Sequence, residues 1–337
     1  MATAKNAKIQ FEAGQSIVAF EAAIDSGDNT VFNPSGTVMS GAIAPVIRPN
    51  GVVTGLNLLS TNVAADIVSV AACKVNSKGV VYDVSALTVD ISADRPATNV
   101  ACVISIIVDD TGALGSVVGI DGLTTAFSET RGAAGGPPLI PVDAVELGQI
   151  RVASSAAAVI ATSEIFQNGQ YTERSDFPVY TVNNIGVGAS STIAGKTNAF
   201  VEFSEALPLI HTGPATKNIY IEYYVPSFAD LARTSNFVPA ETSHSISSEE
   251  FYGGSISSSS ESLGQASFTA LLDDGVNDGL ISKKNTNITL KAFPDRAKSG
   301  YLLTQGIMGI ARSFPIGNQI NASVTLTPEQ ASAEFTS

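Results

Sequence analysis

The sequence predicts an all-β fold in two parts. Short runs alternate apolar and polar residues, as in NASVTLT, where Ala322, Val324 and Leu326 oppose Asn321, Ser323, Thr325 and Thr327. A period of two marks strands with one buried and one wet face. The 29 Gly and 15 Pro fall mainly between such runs, the punctuation of strands joined by turns. Much of the 44% hydrophobic content is Ala and Val, with no Trp and 7% aromatics, which suits closely packed pleated sheets.

At 337 residues the chain can bury two separate cores. Charged residues make up 15%, against roughly 25% in ordinary soluble domains, which points to a subunit that hides surface against copies of itself. The formal charge is −13, and the 18 Lys and Arg form no basic run. A protein that grips DNA displaces counterions with a basic face, so tight nucleic-acid binding is excluded. Cys73 and Cys102 lie in apolar runs and read as buried thiols, with a disulfide between neighbouring strands left open. MATAKNAKIQF lacks an apolar signal core and no stretch is long enough to span a membrane. Synthesis in a cytoplasm, without secretion or a membrane partner, is the expectation.

In chain order, residues 1–30 are less regular, with a polar, lysine-bearing start that suits an extended arm; Ser16 to Ala23 fit either a strand or a short helix. Residues 31–152 read as one β module. Within it Leu87, Val89 and Ile91 oppose Thr88, Asp90 and Ser92. NVACVISIIVDDTGALGSVVGI reads as a hairpin turning at Asp109 to Gly112, and its apolar run Val103 to Val108 suits a strand buried on both faces. Beyond the rigid turn Gly135 to Pro138 a last strand is expected around Val145 to Val152. Ala153 to Ala161 is of low complexity and marks the boundary as a linker or short helix.

The second unit, 153–337, opens with the strand-like FPVYTV, NAFVEFS and NIYIEYYV; in the last, Ile219, Ile221, Tyr223 and Val225 share a face. Ser227 to Arg233 is the best helical candidate, with Ser227 as N-cap. Thr234 to Ser262 is Ser-rich and too long for an ordinary connection, and it reads as a polar β-hairpin turning at Gly253-Gly254. An isolated hairpin is marginal in water, so another subunit is its expected support. Firm strands resume from Gly264 to Thr327.

Chemical motifs fail one by one. GVGASSTIAGKT, Gly186 to Thr197, has six residues between Gly188 and Gly195 where a phosphate loop needs four. His211 and His244 have no Cys or carboxylate at ligand spacing, so neither a metal site nor a serine–histidine pair is expected. The sequence calls for no enzyme activity and no cofactor. Three acidic pairs remain: Asp109-Asp110, Glu249-Glu250 and Asp273-Asp274. Neighbours in a strand point to opposite faces, so none is a carboxylate dyad, but symmetry in an oligomer would repeat a pair into a ring of negative charge.

The stretch ESLGQASFTALL, DDGVNDGL, NITLKAFPD, YLLTQGIMGIARSF and NQINASVTLTPE resembles the major tail tube proteins of long-tailed bacteriophages, most nearly those of flagellum-targeting, chi-like siphophages. The match rests on Ser267 to Leu271, Pro294-Asp295, Gly306 to Phe314 and Ala322 to Leu326. The helix of that family would be short here, since DDGVNDGLISKK is Gly-rich. The resemblance implies a β-sandwich tube domain at 153–337, joined to the additional N-terminal β module. It also implies hexameric rings, or trimeric pseudo-hexameric rings, stacked into the tail of a virion made in a bacterial cytoplasm. Implied partners are a tape-measure protein and passing double-stranded DNA in the lumen, with tail terminator and distal tail proteins at the ends. The ring-stacking hairpin would use Glu241, His244, Phe251, Tyr252, Gly253, Gly254 and Glu261. The arm would brace neighbouring subunits through Lys5, Lys8 and Phe11. Asp273, Asp274, Glu249 and Glu250 become candidates for an acidic lumen that repels DNA. The alternative is a head decoration or tail-fibre adhesin of the same β stock.

Overall fold

The computed structural model describes residues 6–167, 179–189, 194–207, 209 and 219–335. Among the described residues strands account for 51% and no helix reaches seven residues, so the fold is all-β with antiparallel sheets. The chain starts with β1 (Lys8–Asp25), β2 (Val31–Asn33) and β3 (Val46–Pro49). It then builds a separate unit from β4 (Gly51–Thr54), β5 (Leu59–Thr61), β6 (Ile67–Val70), β7 (Cys73–Ser77), β8 (Val80–Val84) and β9 (Leu87–Asp90). The same unit continues through β10 (Cys102–Val108), β11 (Leu114–Val118), β12 (Val145–Val152) and β13 (Ile165–Gln167). The return is made by β14 (Tyr180–Asn183), β15 (Phe200–Phe203), β16 (Ile219–Leu231), β17 (Thr234–Val238), β18 (Thr242–Phe251) and β19 (Gly254–Leu263). Last come β20 (Ala266–Leu271), β21 (Asn287–Phe293), β22 (Tyr301–Ser313), β23 (Asn321–Pro328) and β24 (Ala333–Phe335).

Twelve strands form one large sheet in the order β14-β15-β2-β1-β21-β22-β23-β20-β17, with β16 joining β1 to β3 and β24 lying on β22. The period of two sets its cores. In β23 Ala322, Val324 and Leu326 are buried while Ser323 and Thr327 are exposed, as the alternation predicts. These side chains meet Phe268, Leu290, Met308 and Phe11 in one core. A second core gathers Phe32, Met39, Val201, Phe203, Ile221 and Tyr223.

β1 links the two cores. Its 18 residues, about 60 Å of extended chain, pair with β16 from Ile9 to Ala23, with β21 from Lys8 to Phe11 and with β2 at Ile24 and Asp25. Register shifts at Glu12/Gly14 and Val18/Glu21 bend the strand. The described part of the expected arm is therefore a strand of the subunit's own sheet, because its apolar residues have partners there. The resulting division also differs from the sequence boundaries. β2 and β3 belong to the large sheet, β13 extends the module's β12, and the module is an insertion spanning β4 to β13.

Within the module, Cys102 to Val108 is a buried central strand between β11 and β12, as its unbroken apolar run predicts. Both cysteines are free and buried. Ala153 to Ala161 is neither linker nor helix. Arg95 pairs with Asp66 at 2.6 Å and donates to the carbonyls of Ser154 and Ala158, and Ile160 is fully buried in the module core. The module joins the sheet through Asp143, whose carboxylate accepts from Asn50 at 2.9 Å and from Tyr220 of β16 at 3.1 Å. Burial first, then the Asp143 charge, pushes the Tyr220 phenol up. The helical candidate Ser227 to Arg233 is not a helix: its residues up to Leu231 continue β16 and pair with β1.

Glu12 is buried without a cation. Its carboxylate accepts from the Ser40 hydroxyl at 2.5 Å, the Thr289 backbone N–H at 2.9 Å and Gln15 at 2.7 Å, tying β1 to β21 at the bend. A buried donor left without its acceptor costs about 1–3 kcal/mol. Glu12→Ala should lower the urea unfolding free energy by that order, and Glu12→Gln, which can still accept from Thr289, by less. Equal losses in the two variants would contradict this role.

Candidate assembly surface

The Ser-rich segment forms a two-stranded ribbon that belongs to no other sheet. β18 and β19 pair without a break from Thr242↔Leu263 to Phe251↔Gly254, leaving Tyr252-Gly253 as a two-residue loop. Gly253 sits at φ +106°, in the region that favours glycine, and nothing surrounds it. The turn is thus one residue earlier than the Gly253-Gly254 pair suggests, with Gly254 already in the ladder. Thr234 to Val238, which the sequence assigns to the same segment, is instead β17, paired with β20 at the edge of the large sheet.

One face of the ribbon is a ladder of serines. Ser243 and Ser262 hydroxyls meet at 2.8 Å, Ser245 and Ser260 at 2.6 Å, and Ser247 and Ser258 at 2.8 Å, followed by Glu249 opposite Ile256. The other face sets His244 against Glu261, Ile246 against Ser259 and Glu250 against Ser255. Glu249 and Glu250 therefore point to opposite faces. Cross-strand pairs of this kind contribute roughly 0.2–1 kcal/mol each, too little to hold ten rungs in water without help. Ile246, Ile256 and Tyr252 stand in solvent, Tyr252 fully. Both outer edges of the ribbon present unpaired backbone groups, the template on which another chain adds.

The base is fixed. Gly264 N–H donates to the Glu241 carbonyl at 2.9 Å, closing the ribbon. Ala240 is fully buried and exchanges two hydrogen bonds with Ser332, whose hydroxyl accepts at 2.9 Å and whose N–H donates at 2.8 Å. The ribbon is a rigidly rooted protrusion of about 33 Å.

From Thr234 to Ser282 there are seven carboxylates and no Lys or Arg. Four lie on or beside the ribbon (Glu241, Glu249, Glu250 and Glu261) and three in the loop after β20. There Asp274 accepts from the Val276 and Asn277 N–H groups, which hold its carboxyl below the usual range, and Asp278 accepts from Asp273, Asp274 and Gly275. Asp273 faces Arg233 at 3.7 Å, an exposed pair of little energetic weight. This loop is the Gly-rich stretch of the sequence, and its only helical piece is a single 3-10 turn at Ile281–Lys283.

Of the candidate arm residues, Phe11 is buried in the sheet core and Lys8 pairs with Asp230 at 3.1 Å, while Lys5 lies outside the described residues. Lys8 borders a cleft of about 730 Å³ with Arg233 and Arg296. Sequence reasoning missed this cleft because its cations come from three distant segments and no local run announces them. His211 and part of Gly186 to Thr197 also lie outside the described residues. Gly188 at φ +86° has the Glu334 carbonyl 2.5 Å from where a Cβ would stand, so this glycine serves strand contact. Among the described residues no group of three or more His, Cys, Asp or Glu is placed to hold a metal ion.

No family model matches the chain, and a search of curated proteins returns no match.

The geometry makes a measurable claim. In isolated subunits the amides of β18 and β19 should show opening free energies near 0 kcal/mol by hydrogen exchange, while β20 to β23 approach global stability. In assembled protein the ribbon amides should become protected. Strong ribbon protection in dilute subunits would contradict the picture of an unsupported hairpin.

Proposed function

We propose that this chain is the structural subunit of a tube: a tail tube protein of a long-tailed bacteriophage, polymerised as stacked rings through which DNA leaves the virion. The observation that carries the reading is the rooted, polar, solvent-exposed ribbon. Ten paired rungs without a partner in the same subunit make sense when a neighbouring copy supplies one. The open edge strand β17 fits the same reading, since ring closure would cover it. A two-surface contact of this kind, in which different patches meet, closes into a ring where its rotation closes and builds a filament or stacked tube where it does not.

The charge balance suits a conduit. In a chain of net charge −13, an acidic lumen wall would repel phosphates and release no counterions to DNA, so the cargo would slide. Hexameric rings, or trimeric pseudo-hexameric rings, are the assemblies that the resemblance of Gly264 to Thr327 suggests. The tape-measure protein would fill the lumen before DNA does.

The hairpin is separable from the fold. Glu241 and Gly264 already touch through a hydrogen bond, so joining them after removal of Thr242 to Leu263 leaves β17 and β20 in place. This deletion should yield a monomer with the thermal stability of the parent to within a few degrees and no sedimentable polymer. Polymers of normal yield from the deleted chain would refute the hairpin's role.

A further inference from the structure

The cationic cleft runs along β17 from Arg233 to Phe237, and the ribbon's base begins just beyond Val238 at the end of the same strand. In the β17–β20 ladder, Val238↔Ser267 is the rung next to the ribbon's base, and Thr234↔Ala270 is the rung next to Arg233 and the cleft. These two rungs are three residues apart along β20, about 10 Å. A protrusion and a recess on different patches of one subunit are the parts of a head-to-tail contact.

Their charges oppose each other. Lys8, Arg233 and Arg296 line the cleft against the single carboxylate of Asp230, a balance of +3 − 1 = +2 in a chain whose total is −13. Lys8 and Gln10 already occupy Asp230, at 3.1 and 2.7 Å. Arg296 donates to the carbonyls of Asn6 and Ala7 and takes part in no ion pair among the described residues. Lys291, 3.8 Å above the Tyr301 ring, adds positive potential beside Lys8. Arg233 is shared with a smaller neighbouring recess, where Asp273 lies 3.7 Å from it and Asp278 stands nearby, so the Lys8 and Arg296 side of the cleft is the side away from these carboxylates. Phe237 and Phe293 provide apolar wall.

We infer that this cleft is the receptor for the ribbon tip of a second copy, with Glu249 and Glu250 facing Lys8, Arg233 and Arg296 and Tyr252 lying against the Phe237–Phe293 wall. The inference rests on the polymer reading above and assigns that polymer's contact to named residues. It also moves Glu249 and Glu250 from the lumen to the joint between rings. Tyrosine and arginine are the residue types that carry most binding energy at such contacts, and close charge pairs fix register.

Charge exchange tests it. One variant carries Arg233→Glu and Arg296→Glu; the other carries Glu249→Lys and Glu250→Lys. Each alone should lose sedimentable polymer at least tenfold while keeping its thermal transition. Mixed one to one, they should regain polymer in which the two alternate, because each tip then meets a cleft of opposite sign. As a second readout that avoids charge reversal, Glu250→Cys combined with Arg233→Cys in one chain should cross-link copies into a ladder on oxidation. If the parent polymerises and the single variants do so equally, or if the mixture of folded variants fails and no ladder forms, the cleft assignment is overturned and the tube reading stands. If the parent stays monomeric at every concentration, the tube reading itself falls, and this inference with it.

Discussion

Pairing between β1 and β16 is the constraint on which the rest of the structure depends. One strand runs through both cores of the large sheet, meets three other strands and bends twice to do so. Without it β16 and β3, on which the inserted module is anchored through Tyr220, lose their link to the rest of the large sheet. The bend has its own chemistry, a carboxylate buried at Glu12 and satisfied by a hydroxyl, an amide and a backbone N–H. Such a group is tolerated only because every donor around it is aimed inward. The module is anchored through Asp143, where Asn50 approaches from the sheet side of the insertion and Tyr220 from β16 itself.

Against that frame the ribbon is an element with no internal purpose. Its serine ladder adds little stability, and its carboxylates have no cation nearby in the same segment. The same features keep a free subunit soluble. Acidic residues on an exposed two-stranded edge discourage random strand addition. Attraction is then reserved for a surface that carries the complementary charge.

Most of the strands were legible in the sequence because each is a local pattern. β12 lies at Val145–Val152 as the alternation predicts, β10 is buried along its length, and Ile219, Ile221 and Tyr223 share the core that their spacing assigns to them. Errors fall where neighbours decide. Ser227 to Arg233 has helical composition, but as far as Leu231 it lies along β1, and tertiary pairing overrides propensity. Residues 8–25 lack clean alternation because the strand is bent and changes partners, so it reads as an arm. The β2 and β3 segments precede the module in sequence yet pair with strands far later in the chain. The candidate hairpin was visible as a Ser-rich run around two glycines. Its receptor was not, since Lys8, Arg233 and Arg296 converge only through the β1–β16–β21 arrangement.

The central claim, that this subunit builds a channelled tube, is tested most directly by electron microscopy of the purified full-length protein at rising concentration. The account predicts stacked rings or tubes of uniform diameter with a stain-filled central channel. Monodisperse particles the size of one subunit, trimeric spikes or solid fibrils without a channel would contradict it.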